Sequence, residues 1–490
     1  MSWKSTQQQH GSGKDSLVFD SVIEAIGNTP IVRLNKIAEG VNANLFAKLE
    51  FTNPGGSIKD RIGWWMIEDA EKRGALKPGA TIIEGTSGNT GVGLAIAAAI
   101  KGYKCVFILP DKMSEEKIKN LRAFGARVIV TPTAVEPDDP RSYYSVSRRM
   151  AEEIPNSLYI DQYNNLSNRE YHYLNTGPEI LRQMPDIDVF ICGIGTGGTV
   201  TGIGKFLKEN KPAVEIVAVD PIGSIVYDTF KFGAPKTPAE GYLIEGIGED
   251  FIPGNYDFDQ IDDMIQVEDK ESFLMTRALL RSEGIYAGVS SGCALVGAKK
   301  WIAQQNAQQN NEQGDRLAGK NVLIIFPDSG NRYMSKVYDD DWMREVGFLE
   351  SKMGTVADMM EQLGARQAAI GQAIITAHQA DKISAVIARL SEAGVSQMPV
   401  LNENGWIKGI IRENVILKAI FNQQASVDDS IDNLVDTSVE FVAPNDSIDH
   451  VSRLVTEGKV PLITNPDDGD SLLGIITDID LLNYLGSKNK

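Results

Sequence analysis

Lys59 stands in the run Asn53-Pro54-Gly55-Gly56-Ser57-Ile58-Lys59-Asp60-Arg61. The Pro-Gly-Gly turn leads into a helical pattern over 60–72, which puts Lys59 at the start of a helix. A helix N-terminus and partial burial both disfavour the ammonium form, lower a lysine's pKa and suit it to Schiff-base chemistry. Taken alone, a single lysine is an ordinary solvated residue. Three further runs change that weighing. Glu84-Gly85-Thr86-Ser87-Gly88-Asn89-Thr90-Gly91 follows a strand pattern and opens a helix, where backbone N–H groups and small hydroxyls suit a carboxylate or a phosphate. Gly193-Ile194-Gly195-Thr196-Gly197-Gly198-Thr199 has the same placement, and its glycines allow close backbone approach to a phosphate. Its spacing differs from the dinucleotide pattern G-x-G-x-x-G and no ribose-binding acid stands out, which favours one phosphate over a pyrophosphate. Gly288-Val289-Ser290-Ser291-Gly292 also precedes a helical run, and the Ser290 hydroxyl is of a type to donate to a ring nitrogen. A neutral partner of that kind leaves a pyridine nitrogen unprotonated and favours β-elimination over transamination. Each run by itself also reads as a plain N-cap, so the four together carry the weight.

The elements between these runs must bring them to one place. Short apolar segments at 81–84, 105–109, 127–130, 189–193, 215–220 and 322–326 alternate with helical patterns at 91–101, 117–124 and from about Val200. Near-continuous apolar strands between helices predict an α/β fold with doubly wound parallel sheets, in two lobes. Such a sheet gathers the carboxyl ends of its strands at one crevice, and three of the four runs are strand-to-helix turns. The texture changes at 346–353, which reads as a linker. Beyond it, roughly 60 residues recur as a weak internal repeat, about 354–425 and 430–487. Each copy reads as a strand, an amphipathic helix, two strands split by an Asn/Asp/Gly turn, and a closing helix. The expected organisation is thus a leader over 1–17, a catalytic domain over 18–345, the linker, and an α+β pair over 354–490. The leader is polar and reads as disordered. The Gln/Asn-rich run 304–316 reads as a solvated helix end and a flexible loop without chemistry.

Composition excludes several function classes. A net charge of -18 argues against a nucleic-acid backbone partner. No apolar stretch approaches membrane-spanning length, the longest being 92–100, and the N-terminal residues lack a signal-peptide core. Cys105, Cys192 and Cys293 are odd in number and widely spaced, as expected of inert thiols in a reducing, cytoplasmic compartment. No Cys/His grouping has metal-ligand spacing, so no structural metal is expected. Trp64 and Trp65, on the helix after Lys59, read as packing residues.

On these residues the chain resembles the fold-type II pyridoxal-phosphate family and, within it, the cystathionine β-synthases. The likeness runs from about Val18 to Gly347, through IGNTPIVRLNKI, NPGGSIKDR, EGTSGNTGVGLA, PDKMSEEKIKNLRAFGA, IPNSLYIDQYNN, GIGTGGTVTG, EGIGEDFIP, GVSSG and FPDSGNRY. Several of these are shared with the cysteine synthases. EGTSGNTG, the stretch KMSEEKIKNLRAFGARVIVTPT, DQYNNLSN and the C-terminal duplication, which is similar to a pair of CBS domains, favour the β-synthases. Carried onto this chain, the resemblance implies that Lys59 forms the internal aldimine and then serves as acid and base at Cα. It implies that Asn89 bonds the cofactor's phenolic oxygen, that Gly195, Thr196, Gly197, Gly198 and Thr199 hold its phosphate, and that Ser290 faces its ring nitrogen. Ser87, Asn89, Thr90 and Gln162 would grip the substrate carboxylate, with Tyr163 and Glu245 assisting around the second substrate. The implied reaction is β-replacement joining L-serine and L-homocysteine as cystathionine, with hydrogen sulfide released when cysteine is the first substrate. The alternatives are a cysteine synthase acting on O-acetylserine and sulfide, or a non-catalytic sensor of adenosyl nucleotides. The resemblance further implies a homodimer or higher homo-oligomer.

Three features depart from the family pattern. The leader has no cysteine and only His10, so no haem is expected. Glu249 stands where the family commonly has tyrosine. The repeats are unequal: Gly474–Asp480 matches the nucleotide signature G-x-x-T-x-x-D through Thr477 and Asp480, whereas the first copy has Arg412 and Val415 there. One regulatory site at most is therefore expected, for S-adenosylmethionine or an adenine nucleotide.

Overall fold

Every apolar run singled out above as a strand is one, with ends displaced by no more than two residues, as fraying elements usually are. In the computed structural model, which describes residues 18–133, 135–136, 138–308, 315–362, 375–437, 439–465 and 471–488, the chain forms two units, Met1–Tyr338 and Asp339–Lys490. The expected disordered leader, with His10 and the haem question attached to it, lies outside the described residues, as do 309–314 of the Gln/Asn-rich run.

The first unit holds strands β1 (Ile31–Arg33), β2 (Asn44–Leu49), β3 (Thr81–Gly85), β4 (Lys104–Pro110), β5 (Arg127–Thr131), β6 (Ser157–Tyr159), β7 (Val189–Gly193), β8 (Glu215–Pro221), β9 (Asp263–Val267) and β10 (Asn321–Phe326). They form two sheets, in the orders β1-β2-β10-β7-β8-β9 and β5-β4-β3-β6. All pairings are parallel except β1 with β2 at one edge. The central strands β7, β8 and β10 are buried along nearly their whole length, which is why they read as unbroken apolar runs. One core surrounds the first sheet through Phe190, Ile216 and Leu323, and another the second through Ile82, Phe107 and Leu121. Trp64 and Trp65 stack edge-on with Tyr171 at 6.4 and 5.6 Å and pack on the second core, in line with their reading as packing residues.

Two packing devices set the position of Lys59. The helices Lys59–Lys72 and Asn89–Lys101 cross at paired glycines. A Cβ on Gly63 would lie 2.3 Å from the Gly93 carbonyl carbon, and one on Gly93 would lie 2.5 Å from the Lys59 carbonyl oxygen. The glycines therefore let Lys59 and Asn89, both at helix starts, approach one another. Next to Lys59, the fully buried Arg61 pairs with Glu50 at 2.7 Å and Glu179 at 2.9 Å, and Glu179 also takes Lys48 at 2.7 Å. Buried charges persist only when paired and hydrogen-bonded in this way. The cluster ties the Lys59 helix to β2 and to the Gly177–Gln183 helix.

The second unit contains the expected repeat. Its first copy runs through Ala377–His378, the helix Ile383–Ala393, strands Gln397–Leu401 and Ile407–Arg412, and the helix Glu413–Phe421. The second runs through Glu440–Val442, Ile448–Thr456, Pro461–Asn465, Ser471–Ile475 and Asp478–Lys488. Each copy's three strands pair parallel then antiparallel. The lead-in segments are exchanged: Val356 and Met359 complete the core of the second copy, while Ile431 completes that of the first.

Candidate active site

Four strand ends and four helix starts meet around a cavity lined among others by Lys59, Asn89, Gly195, Thr196, Thr199 and Ser290. The local folding explains the convergence. Lys59 follows β2 through the 3-10 turn Glu50–Thr52, Asn89 begins the helix after β3, and Gly198 begins the helix after β7. The turn after β10 closes the set. Ile58 donates its N–H to the Pro327 carbonyl at 2.8 Å, and Gly288 donates to that of Asp328 at 2.9 Å. A Cβ on Gly288 would lie 2.0 Å from the Asp328 carboxylate, so only glycine permits this contact, which sets the start of the Ser290 helix.

The Gly195–Thr199 loop is a preformed anion cradle. The helix Gly198–Asn210 begins there with first-turn N–H groups that have no intrahelical acceptor. Gly197 has φ of 80° and packs on the Tyr256 ring, whose hydroxyl donates to the Gly195 carbonyl at 2.8 Å. Asn168 Nδ2 donates to Thr196 Oγ1 at 3.2 Å. Thr199 Oγ1 and His172 Nε2 lie 3.3 Å apart, and His172 Nδ1 is 3.0 Å from Thr176 Oγ1. Burial, with Lys59 and Arg61 nearby, holds His172 well below its ordinary range and hence neutral.

Lys59 Nζ lies 3.4 Å from Thr196 Oγ1, at the cradle's edge. Burial brings its pKa down to about 8, against the opposing pull of Glu249 and Cys192. The amide of Asn89 is held on both sides: Nδ2 donates to Asp328 Oδ2 at 2.9 Å and Oδ1 accepts from Arg332. Thr90 Oγ1 donates to Gln162 Oε1 at 2.5 Å, and Gln162 Nε2 donates to the Gly85 carbonyl at 2.9 Å. Ser87 and Gln162 line a wider cleft that leads to Lys59, together with Tyr143, Tyr144, Tyr163 and Glu249. The hydroxyls of Tyr163 and Tyr143 lie 2.9 Å apart.

The structure brings together the expected residues Lys59, Ser87, Asn89, Thr90, Gln162, Tyr163, the Gly195–Thr199 loop, Glu245 and Ser290. Glu245 adds something that the sequence did not indicate. Its buried carboxylate is clasped by Lys117 at 2.8 Å and Lys336 at 2.6 Å. Burial alone would raise it, but the two lysines hold it below the ordinary carboxylate range. Sequence reasoning also missed His172, Asn168, Tyr256, Asp328 and Arg332. The last two lie in the quoted run FPDSGNRY, which was a usable signal; His172, one of four scattered histidines, offered none.

The donor set suits a phosphorylated pyridine aldehyde: an amine for the carbonyl, an N–H cradle for the phosphate, and a hydroxyl, Ser290, for the ring nitrogen. In the second unit Thr477 and Asp480 are joined, Thr477 donating to Asp480 Oδ2 from Oγ1 at 2.6 Å and from its backbone at 3.0 Å. At the corresponding place in the first copy, Arg412 pairs with Asp436 at 3.2 Å. Cys192 and Cys293 are buried and Cys105 is half-buried, all three as free thiols. Among the described residues no helix is long and apolar enough to cross a membrane.

Comparison with known proteins agrees with this geometry. Residues 22–328 match the family described as pyridoxal-phosphate dependent enzyme, and residues 370–422 and 431–487 each match the CBS domain. The chain is 38% identical to cystathionine beta-synthase of Rattus norvegicus, over 97% of this chain and 87% of that one. It is 38% identical to the enzyme of that name in Dictyostelium discoideum (96% and 93% covered) and 36% identical to that of Saccharomyces cerevisiae (95% and 97%). Among solved structures, a hydrogen sulfide-producing enzyme from Fusobacterium nucleatum superposes with a TM-score of 0.57 at 36% identity, covering 64% of this chain and all of the other.

Proposed function

The chain belongs to the cystathionine β-synthase family of pyridoxal-phosphate dependent enzymes, and on that premise we propose that it condenses L-serine with L-homocysteine to cystathionine. The observation that carries the proposal is the placement of a partly neutral lysine, Lys59, between a phosphate cradle and a carboxylate-binding turn. Bound pyridoxal phosphate supplies the electron sink for negative charge at Cα. The protein does the rest. Gly195, Thr196, Gly197, Gly198 and Thr199 hold the phosphate, with His172 orienting Thr199. Ser290 faces the ring nitrogen and, as a neutral partner, leaves it unprotonated. Asn89, fixed by Asp328 and Arg332, serves the phenolic oxygen.

Ser87, Asn89, Thr90 and Gln162 take the serine carboxylate, Gln162 being already oriented by Thr90 and Gly85. Lys59 removes the Cα proton and delivers it to the departing β-hydroxyl, which leaves as water. The thiol of homocysteine then adds to the β-carbon beside Tyr163. Glu245, spent on two lysines, acts as a positioning residue for the 245–250 loop rather than as an acid or base. With cysteine as first substrate the same steps release hydrogen sulfide.

The second unit is read as a regulatory site for S-adenosylmethionine or an adenine nucleotide at Thr477 and Asp480, the first copy being closed by the Arg412–Asp436 pair. The protein is taken to be a cytoplasmic homodimer or higher homo-oligomer; sedimentation velocity on the full chain checks the latter. The deciding experiment supplies serine and homocysteine to the cofactor-loaded protein and assays cystathionine, with O-acetylserine and sulfide run in parallel. Efficient cystathionine formation is expected. Cysteine formation with little cystathionine would make the protein a cysteine synthase instead.

A further inference from the structure

Glu249 is a carboxyl for which the reaction as written so far has no use. It is buried, yet it lines the same cleft as Lys59, Ser87, Gln162 and Tyr163. Its backbone is fixed: its N–H donates to Ser224 Oγ at 3.1 Å, and its carbonyl accepts from Ile225 N at 3.1 Å and Ser224 Oγ at 3.2 Å. Its side chain reaches toward the cradle, where a Cβ on Gly195 would lie 3.5 Å from Glu249 Oε1. Tyr144 donates its hydroxyl to the other carboxylate oxygen at 3.4 Å. We propose that Glu249 is the general base that takes the thiol proton of the second substrate. The proposal rests on the β-replacement reading above.

An alkyl thiol of pKa about 8.5 is mostly protonated at neutral pH, and the thiolate is the nucleophile. The step therefore needs a proton acceptor beside the incoming sulfur, and the other groups of the cleft are unsuited. Glu245 is neutralised by Lys117 and Lys336. Burial holds the phenols of Tyr143, Tyr144 and Tyr163 well above their ordinary range, hence protonated. Lys59 is occupied with Cα.

Proton balance points to the same residue. Lys59 gives the Cα proton of serine to the hydroxyl, which departs as water, and so needs another proton to return to Cα. The thiol proton taken by Glu249 supplies it. The sulfur lone pair forms the C–S bond at the β-carbon, the freed electrons reach Cα, and Lys59 relays the proton there. The sum is serine plus thiol giving thioether plus water, with no oxidant or reductant. The surroundings of Glu249 support this role. Burial raises its pKa well above the carboxylate range, and Asp250 on its own loop adds to that. Lys112 from the turn after β4, Tyr144 from the Tyr143–Glu153 helix and Lys59 from across the cleft oppose it. Tyr163 and Tyr242 also face it. A base whose pKa lies nearer to that of the thiol is the more effective one.

The test is Glu249→Gln in the cofactor-loaded full chain, assayed with serine plus homocysteine and with serine plus sulfide across pH. Hydrogen sulfide is a stronger acid than an alkyl thiol and already carries a substantial anionic fraction at neutral pH, so it has less need of the base. The expected result is a fall in kcat/KM for homocysteine of about 100-fold or more, a smaller loss with sulfide, and a residual homocysteine rate that rises with pH as thiolate forms. Glu249→Asp should recover part of the homocysteine rate. An infrared band of a protonated carboxyl that titrates in the wild-type protein should vanish in Glu249→Gln, independently of turnover. Equal losses with both acceptors, an unchanged pH profile, or no such band would overturn the proposal. If the wild-type protein makes no cystathionine at all, it is the β-replacement reading with homocysteine that fails, and the two failures are told apart.

Discussion

At the scale of single residues, the site depends on one lysine kept partly neutral by burial. Lys59→Ala should abolish cystathionine formation and the yellow colour of the purified protein while circular dichroism shows the fold intact; near-normal turnover would refute the assignment. Because the Lys59 pKa is lowered to about 8 and the neutral amine is the nucleophile, reconstitution of the cofactor-free protein should quicken as pH rises toward about 8 and then level off. Absorbance at the colour band follows this directly, and a plateau reached only near pH 10 would mean that burial does not lower the lysine. The type of Lys59 and its place at a helix start were legible in the sequence. The degree of its burial was not, because burial comes from β7, β10 and the Glu249 loop, which are remote in the chain.

At the scale of elements, the crossing of two helices holds Lys59 against Asn89. Gly63→Ala would push a methyl group into the Gly93 backbone. Overpacking of this kind typically costs about 1–3 kcal/mol. The expected outcome is a lower denaturant midpoint together with weaker retention of pyridoxal phosphate, because the two helix starts separate. Unchanged stability would show that the pair can slide apart freely. Nothing in the sequence flags Gly63: in a helical pattern such a glycine is only a mild propensity penalty, and its reason lies in a neighbour thirty residues away. The edge strand β1 and its neighbour β2 were likewise missed by pattern reading, since their alternation is weak and they join the sheet only through pairing with each other and of β2 with the remote β10.

At the scale of the whole molecule, the repeats predict unequal ligand sites. Calorimetry of the full chain with S-adenosylmethionine, AMP and ATP in turn should find one of them bound at no more than one per chain. Asp480→Ala should remove that binding. Heat release unchanged by Asp480→Ala would place the ligand elsewhere, and two equivalents per chain would refute closure of the first copy by the Arg412–Asp436 pair.

The sequence by itself determined the strand and helix alternation, the four chemistry-bearing turns and the duplicated second unit, because each is written in local periodicity and in the residue types that tight turns at helix starts demand. It also indicated most of the residues that the structure gathers around Lys59. Only the tertiary structure decided what holds and tunes them: His172 behind Thr199, Asp328 and Arg332 around Asn89, the lysines that neutralise Glu245, and the burial of Glu249. These depend on contacts across two sheets and on exclusion of water, and electrostatic environment is a property of the packed interior that no stretch of chain carries alone.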